Sequence, residues 1–340
     1  MNIVFRVDSS IQIGLGHLMR CVAFADELKR EGYKVTFICR ALEGNQIESV
    51  EHKVIVLEKN DNFQSDDDYL NWLGATQQTD AQQTIKVFPK MTDLLVVDSY
   101  ALGHQWHQNL REYAKRILVI DDLADRQFDC DILLNQNIGV QENSYKGKVP
   151  RNCKLLLGCD YALLRPEFAE RREQSLKKKQ GNKKIQNVLV SLGGSDPDNV
   201  SLDILQQLDD RFKVVVVLGK TSPHNEIIEH YAKGKSIEVI INADNMADLM
   251  LDADIAIGAG GSTSWERCCL GLPTLLCVLA DNQKIAAERL EELGAVIIVR
   301  NLKKDLKSII DNGQCQNTMS NIAQSICDGL GCKRVVRSVV

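Results

Sequence analysis

Three loops of the chain collect residue types able to hold and turn over a polar ligand. The first reads Asp8-Ser9-Ser10-Ile11-Gln12-Ile13-Gly14-Leu15-Gly16-His17-Leu18-Met19-Arg20 and follows an apolar run. Gly14 and Gly16 permit turns and a close approach of backbone to ligand. A helix opening near His17 would offer unpaired N–H groups and a positive dipole end, an anion site. His17 stands at the loop-to-helix junction. An imidazole, with an ordinary pKa of roughly 6.5, can take a proton from water near neutral pH. A histidine that merely caps its helix satisfies the same position equally well, and both readings stay open from position alone. A dinucleotide fingerprint needs a third glycine where Met19 stands, and the second apolar run ends in Arg40, not in an acidic ribose ligand. That excludes a nicotinamide-dependent dehydrogenase.

The second loop, Gly193-Gly194-Ser195-Asp196-Pro197-Asp198-Asn199, could cradle a phosphate on backbone amides. A tight turn followed by an Asp or Asn helix cap explains it nearly as well. It lacks the Lys and Ser/Thr of a Walker motif. The third loop is more specific. Ile255-Ala256-Ile257 runs into Gly258-Ala259-Gly260-Gly261-Ser262-Thr263-Ser264-Trp265-Glu266. Glycines and hydroxyls there suit a phosphate, and Glu266, about one turn into the next helix, could accept both hydroxyls of a ribose. One strand further on, Asn282 and Gln283 offer amide donors and acceptors to a nucleotide or sugar. Phosphate, ribose and amide partners at successive strand ends fit a nucleotide. Capped helices in an ordinary α/β sheet remain the bland alternative.

These loops need a scaffold that ends several strands at one edge. Apolar runs at 2–7, 34–39, 53–57, 94–98, 116–121, 131–134 and 154–157 read as strands, as do 187–192, 213–218, 237–241, 254–258, 274–279 and 295–299. Helix-length stretches such as 17–31, 104–115, 198–208, 224–233, 245–252, 262–270 and 282–293 lie between them. Continuous Val/Ile/Leu strands alternating with helices predict parallel sheets covered on both faces. The expectation is therefore an α/β protein of two doubly wound domains: 1–166 carrying His17, a charged solvated linker at 167–184, and 185–340 ending in terminal helices. Ligands bind at the carboxyl ends of such sheets, which predicts a site in a cleft between the two domains.

Composition narrows the function class. The 340 residues are 44% hydrophobic and 26% charged, which excludes a disordered or fibrous chain. A net charge of −5 leaves no electrostatic footprint for nucleic acid or an anionic membrane. Eleven cysteines, an odd number without Cys-x-x-Cys spacing, read as free buried thiols in a reducing compartment. The N-terminus lacks signal-peptide character and no apolar run approaches membrane-spanning length, so a cytoplasmic protein is expected. No metal-ligand spacing appears, and neither metal nor cofactor is expected.

Two sets of motifs extend this reading. Leu249-Met250 with Ala253-Asp254, Gly260-Gly261-Ser262-Thr263 with Glu266, and Gly271 with Pro273 resemble the nucleotide-binding half of GT-B glycosyltransferases related to the lipid II N-acetylglucosaminyltransferase. The first half is more discriminating: Asp8-Ser9-Ser10, Gly14-x-Gly16-His17-x-x-Arg20, Leu42-Glu43-Gly44, Asp98-Ser99-Tyr100 and Tyr161-Ala162-Leu163-Leu164-Arg165. Together these resemble the hydrolases of UDP-2,4-diacetamido-2,4,6-trideoxy-β-L-altropyranose in pseudaminic acid biosynthesis, over about residues 1–300. The resemblance implies inverting cleavage of the anomeric carbon–oxygen bond, with His17 as base and Tyr100 and Asn282 near the sugar. It also implies Glu266 on the ribose. The loop chemistry itself places Gly194, Ser195 and Ser262 on the diphosphate, and Gly14, Gly16, Arg20, Gly261 and Gln283 are the further substrate contacts expected. A monomer acting on a small UDP-sugar is expected. A GT-B glycosyltransferase passing the sugar to an acceptor is the main alternative, and a non-catalytic nucleotide-sugar binder the other.

Overall fold

A computed structural model describes residues 1–340 apart from 61, 91, 182, 183, 195, 221 and 311. Thirteen strands form two wholly parallel sheets. The first contains β1 (Asn2–Val7), β2 (Lys34–Arg40), β3 (Lys53–Leu57), β4 (Thr92–Asp98), β5 (Ala114–Ile120), β6 (Ile132–Asn135) and β7 (Lys154–Leu157), in the order β3-β2-β1-β4-β5-β6-β7. The second contains β8 (Asn187–Ser191), β9 (Lys213–Leu218), β10 (Ile237–Ile241), β11 (Ile255–Ala259), β12 (Thr274–Cys277) and β13 (Val296–Ile298), in the order β10-β9-β8-β11-β12-β13. Each is doubly wound: the order reverses at β1/β4 in one sheet and at β8/β11 in the other. Each of the thirteen strands among the described residues overlaps an apolar run of the sequence, because strands covered on both faces are mainly apolar.

The chain folds into two compact units, Met1–Leu163 with Gly331–Val340, and Leu164–Leu330. In the first, side-chain alternation sends Ile3, Phe5 and Val7 of β1 into one apolar layer and Val4 into the other. The helix Gly16–Arg30 buries Leu18, Cys21, Ala25 and Leu28, spaced as one helical face, against the first layer. The second unit packs β8, β9, β11 and β12 with flanking helices around one core.

Three features differ from the sequence expectation. The charged stretch 167–184, read as a solvated helix and linker, does hold a helix, Pro166–Lys179, but that helix is part of the second unit and buries Phe168 and Ser175. Its sparse apolar content was enough, because two buried positions anchor one face. The terminal residues divide: the helices Leu302–Ile310 and Gly313–Ile326 belong to the second unit, whereas Gly331–Val339 returns to the first and buries Cys332, Val335, Val336 and Val339 in its core. The stretch between β3 and β4 also holds two helices: Asp68–Leu73, too short at six residues to show a period, and Gln77–Val87, whose mainly polar sequence gave little periodic signal. Nine of the eleven cysteines are buried, and no disulfide is formed among the described residues. Among the described residues, no helix is long and apolar enough to cross a membrane.

Candidate active site

In the first unit the strand order reverses between β1 and β4, and a reversal opens a crevice at the carboxyl ends of the two strands. The loop after β1 carries His17 and β4 ends in Asp98. Gly14 takes a left-handed conformation (φ +76°), and its N–H donates to the Ser10 carbonyl at 2.9 Å, turning the chain so that the helix starts at Gly16. His17 is then the second residue of that helix, and its Nδ1 lies 2.6 Å from Asp98 Oδ1.

Arg20, one turn further along, donates from Nε to Asp98 Oδ2 at 2.6 Å and from Nη2 to Asp98 Oδ1 at 2.7 Å. Arg20 also pairs with Asp122 at 2.8 Å, and Tyr100 donates its hydroxyl to Asp122 at 2.9 Å. Arg20 Nη2 and His17 Nδ1 approach to 3.2 Å because both converge on one Asp98 oxygen. The shorter contact to an ionised acceptor assigns the proton on Nδ1 to Asp98, leaving Nε2 with its lone pair. Burial disfavours the ionised form of Asp98, but Arg20 and His17 overcome it and hold the carboxyl well below the usual carboxylate range. Burial and Asp122 push the Tyr100 phenol well above its ordinary value. The Tyr100 ring packs edge-on against the His17 ring, with centroids 4.7 Å apart. The result is an imidazole held at Nδ1 by a buried carboxylate, an arrangement chemically able to accept a proton at Nε2.

One sequence-predicted site residue makes different contacts from those expected, and two aspartates join it. Arg20 was expected to touch substrate; its guanidinium is instead turned into the protein, on Asp98 and Asp122, because two buried carboxylates require a cation. Asp98 and Asp122 were not singled out as site residues. Their signal was weak, an acidic residue closing an apolar run, and only the pairing of β1 with β4 and of β4 with β5 brings them beside His17.

The second unit repeats the geometry at β8/β11. Gly193 has φ +102°, and Gly194 lies so close to Gly219 that a Cβ at 219 would fall 1.9 Å from the Gly194 carbonyl oxygen. Asp196 accepts from Val200 N–H and Ser201 N–H, both at 2.9 Å, capping the helix Val200–Gln207. The helix-cap reading of this loop therefore holds for Asp196, while Ser195 lies outside the described residues. After β11, Gly260 packs under the Gln283 side chain, whose carboxamide oxygen accepts from Leu279 N–H at 3.0 Å. That bond lies within the loop after β12; the link to the loop after β11 is the Gly260 N–H, which donates to the Cys277 carbonyl at the end of β12 at 3.1 Å. Gly261 and Ser262 are half-buried, and Ser262 makes no side-chain bond to its own helix, Thr263–Cys269. Asn282 is exposed.

Glu266 sits in that helix. Burial pushes its carboxyl up to about 7, against the pull of Arg165 and Arg267. Arg267 escaped the sequence reading. It is buried, donates to the Ala259 carbonyl at 2.7 Å and to the Ser264 hydroxyl at 3.1 Å, and burial lowers it to about 10. It lies across Gly258, where a Cβ would meet its Nη1 at 2.4 Å. A positive group is thus fixed beneath the glycine loop, where a phosphate would gain from it. Among the described residues, no group of three or more His, Cys, Asp and Glu side chains is placed to hold a metal ion.

Comparison with known proteins agrees with this architecture. Residues 175–325 match the model of the glycosyltransferase family 28 C-terminal domain. The chain is 27% identical over 286 residues to an uncharacterized protein of Methanocaldococcus jannaschii, covering 81% of this chain but only 55% of that protein. It is 27% identical over 296 residues to the UDP-2,4-diacetamido-2,4,6-trideoxy-beta-L-altropyranose hydrolase of Campylobacter jejuni, covering 86% of this chain and 97% of that one. The crystal structure of Acinetobacter baumannii MurG superimposes with a TM-score of 0.64 at 14% identity, covering 99% of each chain. The fold is GT-B-like.

Proposed function

We propose that this chain is an enzyme that hydrolyses a UDP-linked 2,4-diacetamido-2,4,6-trideoxy sugar to UDP and free sugar, as in pseudaminic acid biosynthesis. The observation that carries the reading is the His17–Asp98 pair at 2.6 Å, which leaves Nε2 as the acceptor. The likeness to the Campylobacter hydrolase over nearly its whole length supports the choice of substrate.

In this reading His17 Nε2 removes a proton from a water whose oxygen bonds to the anomeric carbon on the face opposite UDP. The bond from that carbon to the diphosphate oxygen breaks, the electron pair leaves with UDP, and the configuration inverts. UDP is a good leaving group, so placement of water and stabilisation of the departing charge supply most of the barrier reduction. Asp98 stabilises the imidazolium that forms, and Arg20 holds Asp98 ionised. The second unit takes the nucleotide: Glu266 accepts the ribose hydroxyls, and the backbone at Gly194 and Gly261 and the hydroxyls of Ser195 and Ser262 donate to the diphosphate, with Asn282 and Gln283 beside them. Gly14 and Gly16 shape the loop that presents His17, and Tyr100 flanks it.

The test is incubation of the UDP-diacetamido sugar in oxygen-18 water without any acceptor. Equal amounts of UDP and free sugar, with the label in the sugar, are expected. Label in UDP would mean attack at phosphorus and overturn the mechanism. The family 28 domain match favours a second reading, a glycosyltransferase. UDP release that appears only when an acceptor alcohol is added would establish that reading instead.

A further inference from the structure

The loop after β1, the end of β4 and the helix Asp68–Leu73 meet at a small pocket in the first unit. Its polar lining includes His17, Ser99 and Tyr100, and its apolar lining includes Tyr69, Trp72 and Leu73. Its volume is about 20 Å³. A water is accommodated once roughly 10–15 Å³ is offered, so the pocket suits one water, whereas any alcohol brings a carbon as well.

The walls of the pocket are braced. The helix is stopped at both ends: the Asp67 carboxylate accepts from the Tyr69 and Leu70 N–H groups at 2.8 and 3.2 Å, and Gly74, at φ +70°, turns the chain away. Its rings pack in series toward the site. Tyr69 meets Trp72 with centroids 5.1 Å apart and Tyr100 at 5.4 Å, and Tyr100 in turn meets His17 at 4.7 Å. Leu73 is buried beside them. Walls held on both sides keep the pocket at one size.

The polar residues around it offer what one water needs. His17 has Nδ1 committed to Asp98, which leaves Nε2 to accept. Tyr100 gives its hydroxyl proton to Asp122 at 2.9 Å, so its oxygen can only accept. Ser99 Oγ accepts from the Ala101 N–H at 3.3 Å, which leaves its own O–H to donate. Two acceptors and one donor match the two protons and one lone pair of a water. Its second lone pair is then left for the anomeric carbon.

Resting on the hydrolase reading above, we propose that this pocket seats the nucleophilic water, that Ser99 orients it, and that the pocket's size selects water over an alcohol. The water gives one proton to His17 Nε2 while its oxygen bonds to the anomeric carbon and the bond from that carbon to UDP breaks. Methanol in the same place would lose its hydroxyl proton to Nε2 and yield a methyl glycoside and UDP.

The test is product partition on the full chain, with the UDP-diacetamido sugar turned over in dilute methanol. Wild type should give free sugar with little methyl glycoside. Trp72→Ala and Leu73→Ala each remove a wall and should raise the ratio of methyl glycoside to free sugar by roughly 10–100-fold, the penalty lifted when a methyl no longer has to enter filled space. That ratio counts only completed turnovers, so a fall in the folded fraction does not move it, and either variant suffices if the other fails to fold. The same ratio in wild type and in the folded variant would overturn the proposal. Ser99→Ala should lower kcat by roughly 3–10-fold with KM nearly unchanged, the loss of one hydrogen bond to the attacking water. An unchanged kcat would overturn the role of Ser99. If wild type releases no free sugar from this substrate, the hydrolase reading falls, and this proposal with it. Free sugar released by wild type with a product ratio blind to pocket size sinks the proposal alone.

Discussion

At the scale of single residues, the site is governed by how carboxylates are shared. Asp98 serves His17 and Arg20 at once, so Asp98→Asn removes both the tautomer control and the charge that stabilises the imidazolium. It should lower kcat by roughly 10²–10⁴-fold with little change in KM, read from steady-state turnover of the UDP-sugar. Glu266 shows the opposite strain: burial holds its carboxyl near the neutral form until pH rises through about 7. If Glu266 accepts the ribose hydroxyls as proposed, it does so best as the ionised carboxylate, so UDP affinity should fall as pH drops below about 7, by up to roughly tenfold per unit. Titration calorimetry from pH 5.5 to 8.5 checks this. Stability runs the other way. The unfolded carboxyl ionises near 4.5 and the folded one only near 7, so the group costs stability progressively between those values and fully above them. Glu266→Gln should therefore raise folding stability at pH 8 by about 1–3 kcal/mol in urea titrations while weakening UDP binding.

At the scale of elements, strands and loops divide the labour. The strands of both sheets were legible because a mainly apolar run of three to seven residues is a local property. The loops were legible as glycine-rich but not as to what each glycine does. Gly219, which no motif marked, is required by the backbone of Gly194 across the sheet end. Gly219→Ala should displace the loop after β8 and cost UDP affinity more than it costs global stability, compared by calorimetry and chemical denaturation. Asp196, read as either phosphate loop or helix cap, is the cap. Asp196→Ala should destabilise the second unit by about 0.5–2 kcal/mol and speed amide exchange at Val200 and Ser201. The helices Asp68–Leu73 and Gln77–Val87 were not legible at all. The first is too short to show a period, and the second buries Asp80 against Arg6 and Arg40 with Ala81 as its one buried apolar residue, so it carries no apolar stripe.

At the scale of the whole molecule, the chain builds the same doubly wound order twice and closes the first unit with its last helix. Truncation before Gly331 should therefore destabilise the first unit although the cut lies beyond the second. Three buried valines are lost, each worth about 1.5–3 kcal/mol. Hydrogen exchange should show protection lost in Asn2–Val7 and Lys34–Arg40 and retained in Asn187–Ser191. The net charge of −5 is compatible with a diphosphate ligand, since backbone amides and one buried arginine can supply the local positive field.

The sequence by itself determined the class of fold, the count and place of the strands, and the loops where His17 and Glu266 stand. Those properties depend on residues near one another along the chain: periodicity, glycine at turns, a polar residue closing an apolar run. Only the tertiary structure decided what those residues meet. Asp98 lies 81 residues from His17, and Asp80 lies 74 from Arg6. The helix that completes the first core comes from the far end of the chain. Strand order makes such contacts. It is set by which apolar faces bury one another across the whole sheet, and no local window contains that information.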